Sequence, residues 1–174
     1  MALSARLLAA LLLLLLAACA TAPPRALPQL SAVPPGFEMS GRLAVRQGQA
    51  SEIARLRWTH RPAGDLWVIA SPLGNEVARI ESSSGGATLS QGGEPQRAPS
   101  FAALTERILG VPLEPAALAA WLHGDTTSAA PAGWNVTIEE TQAAGAVTLA
   151  RRISATRGDV VVRLVIDDYR SLQD

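Results

Sequence analysis

Few side chains in this sequence have types and spacings that do chemistry. The one cysteine, Cys19, closes an apolar run and has no second thiol for an intrachain disulfide, so its sulfur is available for modification. The two histidines, His60 and His123, fall at a predicted strand end and a predicted helix end. Neither stands at a metal-ligand or nucleophile spacing, and surface or capping roles are expected of them. Glu139-Glu140 and Asp167-Asp168 lie in predicted strands, where adjacent side chains point to opposite faces. Neither pair is therefore expected to share one site as a catalytic dyad does. Nucleophile-elbow, P-loop, dinucleotide-binding and zinc-protease signatures are absent, so nothing in the sequence supports an enzyme.

Cys19 is positioned by the residues before it. Arg6 and the apolar stretch Leu7 to Ala18 form the charged and hydrophobic regions of an export signal, residues 1–18. That stretch falls short of the about 20 apolar residues a spanning helix needs, so cleavage is expected rather than a permanent span. Leu16-Ala17-Ala18-Cys19 resembles the lipobox of bacterial lipoproteins. The resemblance implies cleavage before Cys19, S-diacylglycerol on its thiol and an N-acyl group on the new terminus. Each buried methylene contributes about 0.8 kcal/mol and one chain binds only marginally, so several chains make the stable anchor. Ala20 is not the Asp that, in the enterobacterial pattern, keeps a lipoprotein at the inner membrane. The outer membrane, on its periplasmic side, is the expected address.

Cleavage would leave 156 of the 174 residues, enough for one domain with a real core. The 15 basic and 15 acidic residues become 14 and 15 once Arg6 is lost, a balance that argues against nucleic acid as a partner. Residues 19–35 carry five prolines among small residues and read as an extended tether, with the folded domain expected over 36–174.

From Phe37 the chain alternates apolar and polar residues in short runs divided by turns, the pattern of a sheet with one buried face. Strands are predicted over 37–47, 51–59, 66–70, 77–82 and 87–91, and again over 134–140, 146–154 and 160–167. Between the two blocks, Phe101 to Leu109 predicts a helix capped by Ser100, with Leu104 and Ile108 on its inner stripe. Glu114 to His123 predicts a second, with Pro115 in its first turn and Gly124 just past its end. Leu118, Trp121 and Leu122 lie on one side of it.

These stretches, in this order, resemble the LolB family, outer-membrane receptors of the lipoprotein-localisation pathway. The resemblance rests on Gly41-Arg42-Leu43-Ala44-Val45, Ala54-Arg55-Leu56-Arg57-Trp58, Ser71-Pro72-Leu73-Gly74 and Ile108-Leu109-Gly110-Val111-Pro112-Leu113. It continues through Leu118-Ala119-Ala120-Trp121-Leu122-His123-Gly124 to a last strand ending at Asp168-Tyr169, where the family often has Trp. It implies a mainly β fold, an unclosed antiparallel β-barrel around an apolar cavity with short α-helices forming a lid. It also implies a function without nucleotide, metal or other cofactor. A periplasmic, LolA-like carrier hands over a lipoprotein, whose acyl chains enter the cavity before release into the outer membrane, and a tethered monomer suffices.

Leu43, Val45, Leu56, Trp58, Leu118, Trp121 and Leu122 are then the candidate cavity lining. Leu73, between Pro72 and Gly74, corresponds to the turn leucine that in this family protrudes and helps insertion into the membrane. The alternative is a non-catalytic envelope scaffold or assembly lipoprotein, which needs no acyl cavity.

Overall fold

The structure, a computed structural model, describes residues 30–109, 112–127 and 133–172. The export signal, Cys19 and the first part of the tether lie outside the described residues. The alternating runs form β1 (Phe37–Gln47), β2 (Ala50–Arg61), β3 (Gly64–Ala70), β4 (Glu76–Ser83), β5 (Gly86–Ser90) and β6 (Gln96–Ala98). Helices α1 (Phe101–Leu109) and α2 (Pro115–Leu122) follow, then β7 (Asn135–Ala144), β8 (Val147–Arg157) and β9 (Val160–Ser171). Each block of strands is an antiparallel meander. Because β9 returns to pair with β1, the two blocks fuse into one nine-stranded sheet in the order β6-β5-β4-β3-β2-β1-β9-β8-β7. Among the described residues β6 and β7 stand at its two edges and do not pair, so the barrel is unclosed, as the family resemblance implied.

One face of this sheet holds the core. Along β9, Val160, Val162, Leu164 and Ile166 are buried while Arg163 between them is exposed. Strand register carries the same face across the first block, where Met39, Trp58, Trp67, Ile80 and Leu89 stand opposite one another in successive strands. All five are buried and belong to one cluster with the helices. The helices cover different halves of that face, α1 against β5 and β6, and α2 against β8. Among the described residues no helix is long and apolar enough to cross a membrane.

Ser100 caps α1 as expected, its hydroxyl accepting the Ala103 N–H at 3.0 Å. Phe101 and Leu104 pack inward, Phe101 with its ring 4.9 Å from that of Trp67. Ile108, expected on the same stripe, is instead 41% exposed. Among the described side chains of α1 burial is confined to the first five residues, and Glu106, Arg107 and Ile108 are exposed. Buried Thr105 takes the place of an apolar residue there. Its hydroxyl donates to the Ala102 carbonyl at 3.0 Å and accepts the Leu113 N–H at 2.8 Å, fixing the approach to α2.

The last residues assigned to the tether are part of the fold. Ser31 exchanges two hydrogen bonds with Thr148, its N–H donating to the carbonyl at 2.8 Å and its hydroxyl accepting the N–H at 2.9 Å. Leu30 lies so close to Gly124 that a β-carbon there would come within 2.7 Å of it. Proline content alone does not reveal such pairing ahead of Gly36.

Candidate functional site

The apolar space expected under the lid lies between α2 and the second meander. Leu118 and Trp121 from α2 face Ile153 and Ala155 of β8 and Val162 and Leu164 of β9. The space they enclose is only about 10 Å³, close to the least that holds one water molecule. The helix and sheet therefore close on each other as a core would. The Trp121 indole N–H is buried without a hydrogen-bond partner among the described residues. A buried donor of that kind is costly unless something accepts from it.

The sequence-based lining divides accordingly. Leu118 and Trp121 line the slot, whereas Leu56, Trp58 and Leu122 are buried in the wider core. Leu43 and Val45 are half-buried and pack on the core's margin. Ile153, Ala155, Val162 and Leu164 were not named from the sequence. The signal for them was present in the alternation of the last two strands, which fixes the facing wall once α2 is placed over β8.

The far end of α2 is tied down by His123. Its Nδ1–H donates to the Ala119 carbonyl at 2.8 Å, which leaves Nε2 to accept from the Tyr169 hydroxyl on β9 at 2.9 Å. Burial pushes the His123 pKa below its ordinary value of 6.5, the Ala119 bond opposes this, and nearby His60 adds to the lowering. Burial likewise raises the Tyr169 phenol. The two histidines, far apart in sequence, meet around Phe37, whose ring lies 5.0 Å from His60 and 5.6 Å from His123. His60 and the Trp58 indole both donate to Asp65 Oδ1, each at 2.7 Å. The capping expectation holds for His123, but neither histidine is a plain surface residue. Period-two reasoning cannot show that a helix end folds back onto the first strand.

On the acids the expectation is corrected. The β1–β9 register shifts at Ser40/Gly41, so Asp168 pairs with Ser40 and Ile166 with Gly41 while Asp167 is left over. This bulge turns both acids toward the outer face, where they border one groove. A second irregularity around Glu140 brings Glu139 and Glu140 both within 4.0 Å of Arg152. These are exposed ion pairs rather than dyads. Gly41 belongs to the same bulge, for a β-carbon there would sit 2.1 Å from the Val165 carbonyl oxygen.

Opposite in character is the β3–β4 turn. Ser71 and Asn75 close it with a backbone bond of 2.8 Å, and Gly74 has φ +93°, a conformation open to glycine. Between them Leu73 is 91% exposed, with exposed Pro72 and Gly74 on either side. The turn holds an apolar tip out in solvent.

Both the sequence and the fold have counterparts among known proteins. The family model for the outer membrane lipoprotein LolB matches residues 35–169.

The chain belongs to the LolB family.

Its relatives include outer-membrane lipoprotein LolB of Azoarcus sp., 35% identical over 173 residues and covering 90% of each chain. That of Thiobacillus denitrificans is 31% identical and covers 88% of this chain and 90% of the relative. Among solved structures, a DUF1329 family protein from Desulfovibrio piger has a TM-score of 0.55 at 6% identity, covering 81% of this chain and 88% of that one. That last likeness concerns the fold alone. LolB membership makes the chain an outer-membrane lipoprotein of the lipoprotein-localisation system.

Proposed function

We propose that the protein receives lipoproteins from a periplasmic LolA-like carrier, shelters their acyl chains between α2 and the β8–β9 wall, and releases them into the outer membrane. The observation that carries this reading is the slot lined by Leu118, Trp121, Ile153, Ala155, Val162 and Leu164 and covered by one short helix. Acyl burial at about 25 cal/mol per Å² supplies the holding energy, and the same apolar surfaces meet each other when the chains leave. The direction of transfer follows from differences in affinity among carrier, receptor and bilayer. No nucleotide, metal or other cofactor takes part, and a monomer anchored through acylated Cys19 suffices.

Leu73 is the bilayer contact in this scheme. Transfer of its side chain from water to lipid is worth about 1.5 to 3 kcal/mol. Leu73→Glu is expected to keep the fold and the uptake of a fluorescent fatty-acid probe while abolishing delivery of a labelled lipoprotein from carrier to vesicles. Normal delivery by this variant would sink the role of the turn. Failure of the wild-type protein to take up the probe would favour the envelope-scaffold reading instead.

A further inference from the structure

The sheet face turned away from the core carries a second feature beside the Leu73 turn. Arg55 and Arg57 lie two residues apart on β2 and so project from the same face, and Arg42 on β1 stands directly opposite Arg55. Like charges so placed repel unless something negative lies between them. Arg42 has Asp167 at 3.2 Å, but among the described residues Arg55 and Arg57 have no hydrogen-bonded or ionic partner. The three arginines border a concave groove of about 680 Å³ with Val68 and Ala70 also along it and Gly74, the neighbour of Leu73, at its rim. Its carboxylates are Glu76, Asp167 and Asp168. Arg79 holds Glu76 through two bonds of 3.0 and 2.9 Å, and Arg42 holds Asp167. Asp168 accepts only a long 3.3 Å bond from the Ser40 hydroxyl. Two unengaged guanidinium groups and one weakly held carboxylate thus share a groove.

We propose that this groove docks the headgroups of zwitterionic, primary-amine phospholipids, with Arg55 and Arg57 on the phosphate and Asp168 on the ammonium. The inference rests on the reading of Leu73 as the bilayer contact and adds the chemistry of the surface around it. The planar guanidinium fork matches phosphate oxygens. A purely anionic headgroup would satisfy the arginines but leave Asp168 facing like charge. The heights also agree. Ala70, opposite Arg55 in the register, is three residues from Leu73, at most about 10 Å of chain. The headgroup layer on each side of a bilayer is about 5 to 8 Å thick. With Leu73 dipped into hydrocarbon, Arg55 is the guanidinium nearest the phosphates, and Arg57, opposite Val68, stands two residues farther along the strand. Tip and groove together fix how the barrel sits on the membrane.

The test uses the full mature chain carrying Cys19→Ala, so that its own lipid does not mask binding, sedimented with three vesicle types. These are phosphatidylcholine alone, phosphatidylcholine with phosphatidylethanolamine, and phosphatidylcholine with phosphatidylglycerol. Phosphatidylethanolamine vesicles are expected to bind best. Arg55→Gln with Arg57→Gln lowers affinity for them about tenfold, and Asp168→Asn removes the preference over phosphatidylcholine. Leu73→Glu weakens binding to all three. Thermal melting checks that each variant is folded, and Arg57→Gln alone replaces the pair if the pair is not. Wild-type affinity of the arginine variant, or tighter binding to phosphatidylglycerol than to phosphatidylethanolamine, overturns the headgroup site while leaving the turn's role standing. Undiminished binding by Leu73→Glu overturns both, because only the turn sets the groove at headgroup height.

Discussion

Leu73 and Leu122 are the same side chain in opposite settings. Leu122 is fully buried where α2 meets the core, and Leu73 stands 91% exposed at the tip of the β3–β4 turn. Burying a leucine is worth about 1.5 to 3 kcal/mol relative to leaving it in water. At Leu122 that energy holds the lid in place, and at Leu73 it is withheld from folding and left for an outside surface. Exposure of a single leucine proves little in itself. What separates Leu73 is a turn whose backbone bonds and positive-φ glycine keep the tip fixed and away from the core.

If the contrast holds, substitutions should divide by region. Leu122→Ala is expected to cost about 2 to 5 kcal/mol of stability, read as a lower urea midpoint, because the closed interior has nothing to fill the vacated space. Gly41→Ala should cost about 1 to 3 kcal/mol by the same titration, since the added carbon meets backbone at Val165 and the bulge must shift. A smaller effect comes from His123. Its folded pKa lies below the unfolded 6.5, so the unfolded chain binds the proton more readily. Stability contributed by neutral His123 is then full above about pH 6.5 and is lost as pH falls toward the depressed folded value. Melting temperatures between about pH 7.5 and 5.5 should show the decline, and His123→Gln should flatten it. Leu73→Glu should change stability least, by about 0.5 kcal/mol or less. A loss as large as that of Leu122→Ala would end the contrast, since the turn leucine would then be part of the core.

Much of this division could be read from the residues. The alternation through Val160, Val162, Leu164 and Ile166 declares a one-sided strand, and Pro115 with Gly124 marks both ends of α2. The Pro72-Leu73-Gly74 turn pointed to an exposed leucine through its family likeness. Other features depend on contacts that no local pattern encodes. The three-residue β6 lies between a Gly-rich turn and Pro99 and is too short to show a period. The bulges that bring Asp167 beside Asp168 and Glu139 beside Glu140 are set by register between strands, so strict alternation placed each pair wrongly. Pro-rich composition hid the pairing of Ser31 with Thr148. The closeness of the slot walls depends on how far α2 settles onto β8, a balance of packing that periodicity does not measure. For the same reason the residues of the facing wall went unnamed, and of the three named on the helix only Leu118 and Trp121 border the slot while Leu122 does not.

The open strand order has a consequence for life in a crowded periplasm. A barrel that never closes keeps two edges, and an unpaired edge is a template on which other chains can add strands. Here β6 is three residues long and lies against α1. Along β7 the register breaks around Glu140, and the acids there are drawn into ion pairs with Arg151 and Arg152. A broken, charged border and a truncated one make poor seeds for polymerisation. The sheet can therefore stay unsealed without recruiting neighbours into aggregates.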